Sequence, residues 1–180
     1  VAAWSWPSYM SPEAKEMGIK VRTSSYTRHH VNITMCKAKA NGNYINSMLA
    51  LNEAISGGAE EALLLDNEGY VAEGSGENIF ILRDGVLHTP EITRATILDF
   101  ARDLNIPVKE RRITRDEVYV AEEAFFTGTA AEVLPIRELD GRVIGAGKRG
   151  PVTEKLQAMY FDAVKGKLAE HSGWLTHVKG

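Results

Sequence analysis

Along the chain, apolar and polar positions change period several times, and each change marks an element boundary. Val21 to Tyr26 alternates every second residue, as a half-buried strand does. Ile33 to Ala40 reads as a second strand, stopped by Asn41-Gly42. Asn43 is placed to cap a helix running to about Ile55, with Ile45, Met48, Leu49, Asn52 and Ile55 along one stripe. Gly57-Gly58 ends that helix. Glu61 to Asp66 and Tyr70 to Glu73 flank the turn residues Asn67-Glu68-Gly69 and predict a hairpin. Asn78 to Leu82 and Val86 to Thr89 predict a second, around Arg83-Asp84-Gly85.

The period then becomes helical. Thr93 to Leu104 places Ile97, Phe100, Ala101 and Leu104 on one face. Val108 to Ile113 is a strand, Asp116 to Glu123 a short helix and Ala124 to Thr127 another strand. Leu134 to Leu139 and Arg142 to Ile144 flank Asp140-Gly141 as a third hairpin. Pro151 suits the first turn of a last helix reaching about Lys167. No repeat or Ser/Gly/Pro-rich linker divides the chain, so one domain is expected. Helices mixed with hairpins predict an α/β or α+β domain on a mixed sheet.

Composition narrows the function classes. With 21 basic and 24 acidic residues, the formal net charge of −3 offers no electrostatic grip on nucleic acid. No unbroken apolar run reaches the roughly 18 to 20 residues of a membrane helix. A single cysteine, Cys36, excludes an internal disulfide and a cysteine-rich zinc site, which favours a reducing, cytoplasmic setting. The chain opens without Met on Val1-Ala-Ala-Trp-Ser-Trp6, and a preceding portion is expected to be missing.

Several residue groups are candidates for chemistry. Gly145-Ala-Gly147-Lys-Arg-Gly150 has dinucleotide-loop spacing, but no second strand ending in an acidic residue can follow about 20 residues later. A tight hairpin-to-helix loop is the better reading. On a strand, His29 and His30 would face opposite sides, so no metal is expected there. The runs Lys37-Ala-Lys39-Ala-Asn-Gly-Asn-Tyr44 and Glu73-Gly-Ser-Gly-Glu77-Asn78-Ile-Phe80 are more informative. A lysine between a strand and a helix is either a surface cation or an amine kept for a Schiff base, which needs partial desolvation to be nucleophilic near neutral pH. Glu73 is either a solvated hairpin carboxylate or an anion held against a protonated heteroaromatic nitrogen.

Together with Ile92-Thr-Arg94, Phe126-Thr-Gly-Thr-Ala-Ala-Glu132 and Gly150-Pro-Val-Thr153, these runs resemble the fold type IV pyridoxal-phosphate aminotransferases, in that family's order. Within the family the chain is most similar to branched-chain amino acid aminotransferases, a branch favoured by Gly173-Trp-Leu175 and Ala3-Trp-Ser-Trp6. The resemblance implies a pseudo-barrel flanked by helices, with residues 1–180 forming the cofactor-binding large domain and the family's smaller N-terminal domain absent. It implies a homo-oligomer that transfers amino groups from leucine, isoleucine or valine to 2-oxoglutarate, giving glutamate, through pyridoxal 5′-phosphate.

By the same resemblance, Lys39 holds the cofactor as a Schiff base and moves protons; Lys37 is its nearest competitor, and spacing to Gly42-Asn43-Tyr44 favours Lys39. Glu73 faces the pyridine nitrogen and Tyr44 the ring oxygen. Thr129, with Ile92 and Thr93 at a helix start, cups the phosphate. Ala130 offers a backbone N–H to the substrate carboxylate, and Arg28 is read as structural. Only Pro90-Glu91 stand where the family has a longer loop before Ile92. A D-amino acid aminotransferase, an aminodeoxychorismate lyase and a noncatalytic fragment remain as alternatives.

Overall fold

The computed structural model describes residues 10–36, 38–90 and 95–176. The strands are β1 (Ile19–Thr23), β2 (Glu61–Leu65), β3 (Val71–Gly74), β4 (Asn78–Arg83), β5 (Val86–Thr89), β6 (Val108–Glu110), β7 (Glu123–Gly128), β8 (Glu132–Leu139) and β9 (Arg142–Val143). The helices are α1 (Pro12–Met17), α2 (Ile45–Ser56), α3 (Ala95–Asp103), α4 (Arg115–Tyr119) and α5 (Pro151–Val164). The strands form one curled sheet in the order β3-β2-β1-β8-β7-β4-β5-β6, with β9 beside β8. It is mixed: β1 is parallel to β2 and β8, β5 to β6, and the remaining pairs are antiparallel. The expected α/β class is what the chain adopts.

Both faces of the central strands are covered, and the alternating sequence sorts side chains between them. In β4, Ile79 and Ile81 join one core with Ile19, Val21 and Leu134. Phe80 and Leu82 point to the other, beneath α3 and α5, with Phe100 and Leu156. Phe80 faces Phe125 across the β4–β7 ladder and stacks on it at 5.1 Å between ring centres. Such a pair adds roughly 0.5–1.5 kcal/mol beyond its burial.

The hairpins follow their turn chemistry. Asp84-Gly85 and Asp140-Gly141 all have positive φ, between 51° and 77°, as a two-residue turn matched to strand twist requires. The glycine run before α5 is a structural loop. At Gly150 a Cβ would lie 2.2 Å from the Glu123 carboxyl carbon. The Glu123 carboxylate accepts N–H bonds from Val152 at 3.0 Å and Thr153 at 2.8 Å, and the Thr153 hydroxyl at 2.6 Å. The α5 N-terminus is thus capped from within the protein.

Two expectations are corrected. The described residues among 33–40 form no strand; 31–36 are consecutive turns. Asn43 holds them: its amide donates to the Met35 and Ala38 carbonyls, and its oxygen accepts the Thr34 hydroxyl at 2.8 Å. That work occupies the side chain expected to cap α2, and a 3-10 turn over Asn41–Tyr44 leads into the helix instead. Lys37 lies outside the described residues. Helix α2 itself packs on the sheet through Ser47, Ala50 and Ala54. Its apolar stripe of Ile45, Met48, Leu49 and Ile55 is exposed.

Candidate active site

Parallel pairing of β1 with β2 continues beyond the strand, where Ser24 donates to the Leu63 carbonyl and Arg28 to the Leu65 carbonyl. This extension lays Arg28 beside the β2–β3 hairpin. The register there, Leu64 opposite Glu73, brings Glu73 to the same place. Arg28 Nε meets Glu73 Oε1 at 2.5 Å, with both side chains about four-fifths buried. Arg28 also donates to the Asn43 carbonyl at 3.1 Å and to His29 Nδ1 at 2.5 Å. The guanidinium therefore ties the hairpin to the entrance of α2.

A cavity of about 940 Å³ opens over this ion pair. Lys39, Tyr44, Glu73 and Thr129 all line it. Lys39 Nζ donates to the Tyr44 hydroxyl at 3.2 Å, and the phenol stands at the start of α2, where the 3-10 turn delivers it. Thr129 is exposed in the β7–β8 turn, with Ala130 beside it in the same turn and outside the cavity wall. Ile92 and Thr93 lie outside the described residues.

Glycine is required at the end of β3, beside the cavity. A Cβ on Gly74 would sit 2.6 Å from Glu77 Oε2 and 3.0 Å from the Phe126 ring. The Glu73 to Phe80 run thus folds a carboxyl back under its own turn.

The electrostatics are unusual for a surface hairpin. Burial raises the affinity of Glu73 for a proton, and Arg28 offsets only part of that rise. The carboxylate consequently retains a demand for further positive charge on its cavity side. His29 is pushed down by burial and by Arg28, which keeps its ring neutral at pH 7.

Lys39 departs from expectation in one respect. Its side chain is exposed at the cavity rim rather than desolvated. Three further residues matter more than the sequence alone suggests. Arg28, read there as structural, has a partner 45 positions away that nothing in its local surroundings signals. Glu77 has no role in its motif on sequence grounds, and Glu61 is only the start of a strand. For both, a signal is present: an acidic residue set among apolar and glycine positions of a core hairpin.

The family described as amino-transferase class IV matches residues 1–139. The chain is 68% identical to the branched-chain-amino-acid aminotransferase of Pseudomonas aeruginosa, over 99% of this chain and 61% of that protein. It is similar to the solved T.th. branched-chain amino acid aminotransferase with pyridoxamine 5′-phosphate, at TM-score 0.93 and 49% identity, over 98% of this chain and 60% of that one. The same enzyme complexed with N-(5′-phosphopyridoxyl)-L-glutamate matches at TM-score 0.91 and 48% identity, over 98% and 59%. The chain spans about three-fifths of the curated relatives it matches.

Proposed function

The chain belongs to the class IV amino-transferase family, and from that premise we propose that it is the cofactor-binding part of an enzyme moving amino groups between leucine, isoleucine or valine and 2-oxoglutarate. The observation that carries the reading is one cavity lined by an amine, a phenol, a largely buried carboxylate and a threonine-bearing turn. At about 940 Å³ it has room for pyridoxal 5′-phosphate with a small amino acid. The residues fit that cofactor. Glu73, still short of positive charge beside Arg28, suits a protonated ring nitrogen. The Thr129 hydroxyl and turn suit a phosphate.

When bound, pyridoxal 5′-phosphate supplies an aldehyde for an amine and a ring that withdraws electrons from the substrate Cα. Lys39 Nζ would hold the aldehyde and, when free, would move the proton at the substrate carbon. Tyr44, whose hydroxyl accepts from Lys39 Nζ, would orient that amine and offer a hydroxyl to the ring oxygen. Glu73 would hold the positive charge of the ring nitrogen, with Arg28 fixing the carboxylate's orientation. Ile92 and Thr93 join Thr129 in this assignment as phosphate ligands, and Ala130 offers its N–H to the substrate carboxylate.

We further propose a homo-oligomer. Val31, which lines the cavity, is 69% exposed, its chain neighbours Ile33 and Met35 are 68% and 82% exposed, and Met48 on α2 is 56% exposed. Apolar side chains gathered in this way mark contact surfaces. A second copy laid there would cover the rim and supply the desolvation that Lys39 lacks. A cytoplasmic location accords with the single cysteine. Among the described residues, no helix is long and apolar enough to cross a membrane.

The test is amino transfer by the complete protein. Glutamate should form from 2-oxoglutarate with leucine, isoleucine and valine. Transfer from D-alanine alone, or pyruvate release from aminodeoxychorismate, would move the chain to another branch of its family.

A further inference from the structure

Three carboxyls gather at the β2–β3 hairpin, and Arg28 pairs with only one of them. Glu61 has no exposed surface. Its Oε1 accepts the Ala62 N–H at 2.7 Å and the Ser75 N–H at 3.4 Å, while its Oε2 is buried with no hydrogen-bond partner among the described residues. Glu77 is 8% exposed and folds over the same turn, where its Oε2 accepts the Gly76 N–H at 3.0 Å. Both carboxyls therefore close on residues 74–76, Glu61 from β2 and Glu77 from the entrance to β4. Glu73 is the residue immediately before that segment. A buried carboxylate oxygen without a donor is costly as an anion and is relieved by a proton.

We propose that Glu61 and Glu77 share one proton at neutral pH and serve as a positioning pair, whose charge sets how tightly Glu73 holds a cation in the cavity. The link to the cation rests on the reading of Glu73 given above; the shared proton does not. Burial raises the proton affinity of both groups. The charges of Glu61 and Glu73 raise Glu77 further, to about 7. Glu77 is faced by Glu61 from β2, by Glu73 from β3 and by the uncharged Gly128 from β7. Arg28 stands beyond Glu73, and Lys39 lines the same cavity. With Glu77 titrating there, the floor gains a second negative charge between about pH 6 and 8, and Glu73 holds its cation more tightly.

The test is pH-difference infrared spectroscopy of the complete protein without added cofactor, on native, Glu77→Gln and Glu61→Gln forms. The native protein should lose a protonated-carboxyl band with a midpoint near 7. Glu77→Gln should abolish that band. Glu61→Gln, which removes the largest like charge, should shift its midpoint to lower pH, and it keeps the proposal testable if Glu77→Gln does not fold. A native protein with no band titrating between about pH 6 and 8, or a band unchanged in both variants, would overturn the shared proton. With pyridoxal 5′-phosphate added, native affinity should vary several-fold more across this range than that of Glu77→Gln; equal slopes would overturn the positioning role. Since the bands are read without cofactor, they persist in Lys39→Ala, so failure of the pair and failure of the functional reading are distinguishable.

Discussion

Glu123 and Glu77 are almost equally buried, at 7% and 8% exposure, and live in opposite circumstances. Glu123 accepts three hydrogen bonds at the start of a 14-residue helix, whose dipole also favours an anion. Glu77 accepts one backbone N–H beside two other carboxyls. The difference teaches that burial alone does not assign a role. A carboxylate whose oxygens are met by donors is holding the fold together. One left short of donors beside a cavity is held ready for charge that arrives with a ligand.

The largest effect expected from this contrast is at Glu123. Glu123→Ala leaves three donors unmet under Gly150 and should cost about 2–4 kcal/mol in chemical denaturation. It should leave the infrared titration of the hairpin unchanged. A loss below about 1 kcal/mol would mean that the α5 cap is dispensable.

A smaller effect, opposite in kind, belongs to Glu77. Its folded pKa of about 7 lies above the ordinary 4.5, so the folded state keeps a proton that the unfolded chain has released. Stability therefore falls as pH rises from about 4.5 to 7, by at most about 3 kcal/mol. Glu77→Gln should flatten that decline in denaturation curves taken across the range. A decline of the same slope in the variant would assign it elsewhere.

The smallest effect sharpens the sign. Arg111 holds Glu117 down to about 2, helped by the Thr114 N–H in the capping box of α4. This contribution is fully present above the ordinary 4.5 and is lost as pH falls toward 2. Glu117→Gln should lower stability by a constant amount above about pH 4.5 and remove the acid sensitivity below it, leaving the slope of the neutral range unchanged. If it instead changed the slope of stability between about pH 6 and 8, the two carboxylates would not be separable in this way.

Legibility in the sequence divides along the same line. The β4–β5 and β8–β9 hairpins were readable because Asp-Gly turns have local causes in backbone conformation. The central strands were readable because both cores draw on alternate residues. Residues 33–40 misled because Ile33 and Met35 alternate without being buried, and the turns are held by Asn43 from the next element. The α2 stripe misled similarly: its apolar face is offered outward, while small residues meet the sheet. Lys39, Tyr44, Glu73 and Thr129 came from resemblance rather than pattern, and they share one cavity. Arg28 was illegible because its partner depends on β1 running beside β2, a pairing that no local window contains.

The central claim is that the Lys39 amine is the covalent anchor of the site. Its most direct test is borohydride reduction of the complete protein incubated with pyridoxal 5′-phosphate, followed by peptide mass spectrometry. The account predicts a phosphopyridoxyl group on Lys39. Stoichiometric label on Lys37 or any other lysine, with Lys39 unmodified, would contradict it.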